Sequence, residues 1–116
     1  MTTNEIIKRT KQFAVDCGHL ILTLDQNIVN RAYSSQLIRS SSSTGANYRA
    51  TRRAKSNADF INKFKIVEEE IDESIFFLEM IVEFNKERRD KIAIIYKEGE
   101  ELLKIIVASL KTLRKK

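Results

Sequence analysis

No proline occurs anywhere in this chain, and its three glycines, Gly18, Gly45 and Gly99, are isolated and away from the expected turns. Proline breaks helices by removing a donor and clashing with the preceding turn, while glycine supplies the positive φ of many tight turns. A chain lacking both signals is steered towards long uninterrupted helices and away from strands and hairpins. Its 116 residues fit one domain, 1–116, long enough to bury a single core. Hydrophobic residues at 42% and charged residues at 32% suit a globular or coiled-coil-like protein.

Apolar periodicity predicts four helices. The first spans about 4–24, opened by Thr2 with Glu5 in a capping-box arrangement. Its stripe is Ile6, Thr10, Phe13, Ala14, Cys17, Leu20, Ile21 and Leu24, with His19 roughly opposite. The second spans about 30–54, with Tyr33, Leu37, Ser40, Thr44, Tyr48 and Thr51 at helical spacing. Its serine-rich middle is a poor helix former, so this helix depends on packing, and its small residues suit a close neighbour. The third, 57–84, carries the heptad-like seam Phe60, Phe64, Val67, Ile71, Ile75, Leu78 and Val82 behind the Ser56 cap. The fourth, about 86–113, has Ile92, Ile95, Tyr96, Gly99, Leu102, Leu103, Ile106, Leu110 and Leu113 along one face. Short connections between helices of similar length imply an antiparallel up-down bundle.

A helical wheel for the third helix places a second apolar group opposite the seam. It comprises Ile66, Phe77, Met80 and Phe84, with Phe76 close by and Glu69 and Glu73 on the same back face. One stripe suffices for a monomeric bundle, whereas a second apolar surface normally meets a partner. Self-association is therefore expected at Ile66, Phe77, Met80, Phe84, Glu69 and Glu73; the competing reading is a core that wraps both sides of the helix, or a few tolerated surface aromatics.

Charge is segregated along the chain. Residues 26–55 carry six basic groups and no acidic one, while residues 56–84 carry eight acidic groups against Lys63 and Lys65. Arg39, Arg49, Arg52 and Arg53, with Arg31 assigned to the same side, form a candidate phosphate-binding face for RNA or DNA. Lys111, Arg114, Lys115 and Lys116 add a basic tail. No aromatic residues interleave with these arginines, so base stacking is not indicated. The alternative use of the arginines is pairing with the acidic helix, within one chain or across a subunit boundary.

Catalytic and metal constellations are not found. The acidic run 68–73 lacks the Glu-x-x-His partners of a di-iron bundle, since His19 is the only histidine. Cys17 and His19 point apart on their helix, and the serines at 40–43 have no base nearby, so no nucleophile, metal or cofactor is expected. A single cysteine permits no internal disulfide, and no apolar run has membrane-spanning length. A cytoplasmic, non-enzymatic protein is the expectation.

The stretch from Gln36 to Glu83 resembles a known family. The carrying segments are Gln36-Leu37-Ile38-Arg39-Ser40, Gly45-Ala46-Asn47-Tyr48-Arg49-Ala50 and Arg53-Ala54-Lys55-Ser56. They continue through Asp59-Phe60-Ile61-Asn62-Lys63-Phe64 and Ile66-Val67-Glu68-Glu69-Glu70 to Asp72-Glu73 and Phe77-Leu78-Glu79. These resemble the four-helix-bundle proteins encoded in intervening sequences of bacterial 23S rRNA genes. The resemblance implies a homopentameric ring without enzymatic activity. Related accessory proteins of diversity-generating retroelements form similar barrels, bind nucleic acid and associate with a reverse transcriptase. The resemblance also implies a shared polar network of Arg39, Asn47, Arg49 and Arg53 with Glu69, Glu70 and Glu73. The two leading functional readings are an oligomeric nucleic-acid accessory factor and a protein-interaction scaffold that binds no nucleic acid.

Overall fold

The computed structural model describes residues 1–115, with four α-helices and no strand among them. They are α1 (Thr3–Leu22), α2 (Ile28–Ala50), α3 (Asn57–Phe84) and α4 (Arg89–Arg114), with 3-10 turns at Thr51–Arg53 and Lys86–Arg88. Helix α1 stops two residues earlier than periodicity suggested, and α2 both starts and stops earlier than expected. The start of α2 is set by Asn27, whose side chain accepts a hydrogen bond from the Asn30 amide at 2.8 Å. Thr2 caps α1 through the Glu5 amide at 3.1 Å, and Ser56 caps α3 through the Asp59 amide at 3.0 Å.

Consecutive helices pack side by side and antiparallel, and α1 closes the bundle against α4. The result measures 47 × 21 × 20 Å. Phe13, Leu37, Val67, Ile71, Leu78, Ile81, Leu102, Ile106 and Leu110 form the centre, all almost fully buried. On α3 the buried seam takes in Ser74 and Ile81, whereas Phe60 and Val82 lie at its half-buried edge.

Small residues set how closely the helices approach. Ser40, Ser41 and Thr44 are fully buried, and the Ser40 and Ser74 hydroxyls bond each other at 2.7 Å across α2 and α3. Each of these side chains also returns a hydrogen bond to a carbonyl of its own helix or shares one across the contact, and no buried side-chain nitrogen or oxygen is orphaned among the described residues. At Gly99 a β-carbon would sit only 3.2 Å from Ile75 and Phe13, so α4 approaches the core closely there.

Candidate functional site

The antiparallel arrangement brings the start of α1, the end of α2, the start of α3 and the end of α4 to one end of the bundle. A shallow apolar cleft of about 530 Å³ there is lined by Met1, Ile6, Tyr48, Phe60 and Leu113, from all four helices or their immediate flanks. At the same end stand Arg49, Arg52, Arg53, Lys55, Lys111, Arg114 and Lys115, all exposed and free of ion pairs among the described residues. The nearest acid of α3, Asp59, is already engaged: its carboxylate accepts from the Lys55 amide at 2.9 Å and from Lys63 at 2.9 Å. These bonds hold its carboxyl below the ordinary range. The basic tail at 111–115 thus stands at the same end as the α2 arginines, on a helix that does not pack against α2; Lys116 lies outside the described residues.

The five arginines assigned to one face do not form one patch. Arg31 stands 18 residues before Arg49, about 27 Å away along the helix. Arg39 lies between them and faces the acidic helix of its own chain. It donates to Glu70 at 3.1 Å and forms a second, shorter ion pair with Glu73. The Glu73 contact is the main cause of its raised pKa. Arg39, assigned to phosphate binding, and Glu73, assigned to a subunit boundary, thus meet each other within the chain, with the Arg39 side chain still 49% exposed. Glu69 remains exposed and unpaired among the described residues, and Asn47 bonds only Ser43 of its own helix. The shared polar network implied by resemblance is therefore realised by Arg39, Glu70 and Glu73 alone.

The second apolar face of α3 is present but differently composed. Phe77 is half-buried, its ring 6.3 Å from Tyr33 of α2, and Ile66 and Met80 are also half-buried. Phe77 is thus partly absorbed by the bundle's own packing. The exposed ridge is Phe76 and Phe84, at 51% and 55% exposure.

A feature that sequence reasoning missed lies on the α1–α2 side. There a groove of about 670 Å³ runs between the second half of α1 and the first half of α2. Val15, Leu22 and Ile38 line it at 39%, 81% and 41% exposure, with Gly18 opening its floor and Arg31 at its rim. The available signal was Val15 and Leu22, seven residues apart and both off the buried stripe.

Also unforeseen are two polar links between distant segments. Asn30 and Asn85, both buried, exchange amide hydrogen bonds at 2.8 and 3.1 Å. Arg9 of α1 bridges to Glu98 at 2.9 Å and Glu101 at 3.1 Å on α4. Cys17 is fully buried, and desolvation pushes its thiol up to about 12, while His19 is exposed, so the two do not cooperate. No group of three metal-capable side chains gathers among the described residues, and none of the described helices is long and apolar enough to cross a membrane.

Fold and surface together define a helical bundle with one basic end, two exposed apolar faces and polar residues spent on joining helices. The comparison with known families agrees: residues 2–108 match the 23S rRNA-intervening sequence protein family, and the chain belongs to it. It is also similar to a crystal structure of a protein of unknown function from the S23 ribosomal protein family of Bacteroides thetaiotaomicron. That likeness has a TM-score of 0.82 at 30% identity, covering 96% of this chain and 99% of the other. A search among curated proteins gave no match.

Proposed function

We propose that this protein is a non-enzymatic, self-associating accessory factor whose basic end holds the phosphate backbone of RNA or DNA. One observation carries this reading: seven exposed cations, Arg49, Arg52, Arg53, Lys55, Lys111, Arg114 and Lys115, stand at one end of the bundle, none of them in an ion pair among the described residues. Such a cluster attracts phosphates and releases their counterions, giving affinity without base selectivity. Tyr48 at this end is buried and Phe60 half-buried, so no exposed ring offers itself for base stacking. The resemblance to ring-forming relatives supports a homopentamer, and by the same analogy a reverse transcriptase is a partner to test. The lone buried thiol suits a reducing, cytoplasmic setting.

The scaffold reading gains from Arg39, whose charge is consumed inside the chain. Fluorescence anisotropy with a labelled single-stranded RNA distinguishes the two. The accessory-factor reading expects binding at low salt that weakens steeply as salt rises, whereas no binding at low salt leaves only the scaffold.

A further inference from the structure

Helices α1 and α2 draw apart towards the turn that joins them, and the groove between them is that divergence. At Gly45 of α2 an added β-carbon would stand 3.5 Å from the Thr10 carbonyl oxygen, so the two backbones come close there. At Gly18, about two turns beyond Thr10, the nearest atom to an added β-carbon is only the tip of the Ile38 side chain, at 3.6 Å. The groove lies at the opposite end of the bundle from the exposed cations.

Two of its features have no use in the packing of the bundle. Gly18 sits inside α1, where glycine is a worse helix former than any residue but proline. Close approach accounts for Gly45, and for Gly99, whose added β-carbon would meet Ile75 and Phe13 at 3.2 Å; it does not account for Gly18. Nor does Gly18 take a positive φ. Ser34 is the second feature, 8% exposed and on the groove wall. The other buried serines and threonines, Thr10, Ser40, Ser41, Thr44, Thr51 and Ser74, each donate to a backbone carbonyl three or four residues back. The Ser34 hydroxyl alone makes no hydrogen bond among the described residues. Every fully enclosed side-chain oxygen described has a partner, so this hydroxyl reaches the surface that Ser34 keeps along the groove.

The lining also restricts what fits. Its charged groups are one acid, Asp25, and one base, Arg31, so it offers an ion no net counter-charge. An ion entering between Val15, Leu22 and Ile38 would lose hydration without a compensating partner. A volume of about 670 Å³ falls within the range of roughly 300–1,000 Å³ typical of small-molecule sites. We propose that the α1–α2 groove binds an uncharged, largely apolar small molecule carrying one hydroxyl or carbonyl group. Its polar atom bonds the free Ser34 hydroxyl, and its apolar body lies over the bare backbone of Gly18.

Nile red, an uncharged dye with one ring carbonyl and brighter emission in apolar surroundings, is the probe for a fluorescence titration. Wild type is expected to bind it saturably, one dye per chain. Gly18→Leu fills the floor and is expected to abolish that binding while melting no lower than wild type, since leucine is the better helix former. Ser34→Ala is expected to weaken binding several-fold, the effect of one neutral hydrogen bond, with helix content unchanged by circular dichroism. Naphthol is expected to displace the dye and naphthoate, its charged counterpart, to fail. No saturable binding by wild type overturns the proposal, as does binding that survives both Gly18→Leu and Ser34→Ala. Binding lost instead in Phe76→Ser with Phe84→Ser places the dye on α3 and overturns it too. Naphthoate that competes as well as naphthol overturns the uncharged class of ligand. Should Gly18→Leu lose its helices, Leu22→Lys, at a residue 81% exposed, takes its place: lost binding supports the site and unchanged binding overturns it.

Discussion

Replacing Asn85 with alanine removes one half of the only buried side-chain amide pair among the described residues. Asn85 donates to the Asn30 side chain at 2.8 Å and to the Ile81 carbonyl at 2.9 Å, and accepts from Asn30 at 3.1 Å. Three neutral hydrogen bonds are worth roughly 3 kcal/mol net, and the stranded Asn30 carbonyl oxygen adds about 1 kcal/mol or more. A loss of about 4 kcal/mol corresponds to a fall in Tm of about 15 °C for a chain of this size. Asn30→Ala is expected to cost less, because the Asp25 carbonyl that Asn30 engages at 3.0 Å lies nearer the surface. The double variant should cost less than the two single changes combined, by about 1–3 kcal/mol, since both remove the same bonds. Thermal melts followed by far-UV circular dichroism, at one fixed chain concentration, give all three values. The consequence reaches beyond stability, because Asn30 lines the groove and Asn85 follows the ridge residue Phe84. A fall in Tm below about 4 °C for Asn85→Ala, with additive single effects, would refute the reasoning.

Arg39→Gln should leave nucleic-acid binding and its salt dependence unchanged, because Arg39 is committed to Glu70 and Glu73; a weakened complex in anisotropy would contradict that. Cys17, buried and with its thiol pushed up to about 12, should ignore a thiol reagent at mildly alkaline pH until the protein unfolds, and rapid labelling of the folded chain would contradict this. Asp59 has a lowered pKa because the Lys55 amide and Lys63 stabilise its charged form. Its contribution is therefore present above the ordinary carboxyl value and disappears as pH falls through the lowered one. Asp59→Asn should melt lower than wild type at neutral pH, with the gap closing in acid; parallel Tm curves would remove this role.

The helices were legible because their signals are local. Caps at Thr2 and Ser56 and the seam from Phe64 to Leu78 read directly from spacing, and α3 begins and ends where periodicity placed it. The serine run of α2 was legible as contact surface, since Ser40, Ser41 and Thr44 are buried as small residues on a packed face should be. What depended on the relative placement of helices was not legible. The wheel separated Phe77 from the core, but Tyr33 of the neighbouring helix partly covers it. Charge counts could not decide whether Arg39 meets a phosphate or a carboxylate, and only the α2–α3 pairing brings Glu70 and Glu73 to it. Arg31 and Arg49 share a helix face, yet the rise of an α-helix separates them by about 27 Å. The basic end drew on residues 49–55 and 111–115, which sequence order keeps apart and the antiparallel layout puts at one end.

The phosphate-binding role proposed for that end is tested most directly by the salt dependence of binding to a labelled single-stranded RNA, for wild type and for Arg49→Gln/Arg52→Gln/Arg53→Gln. Each phosphate contact contributes roughly 0.7 to the slope of log affinity against log salt for single strands, so losing three should flatten it by about 2. A wild-type protein that binds at low salt with a steep slope, and a triple variant that binds more weakly with a shallower one, is the predicted result. Equal slopes for the two proteins, or no binding by wild type at low salt, would contradict the account.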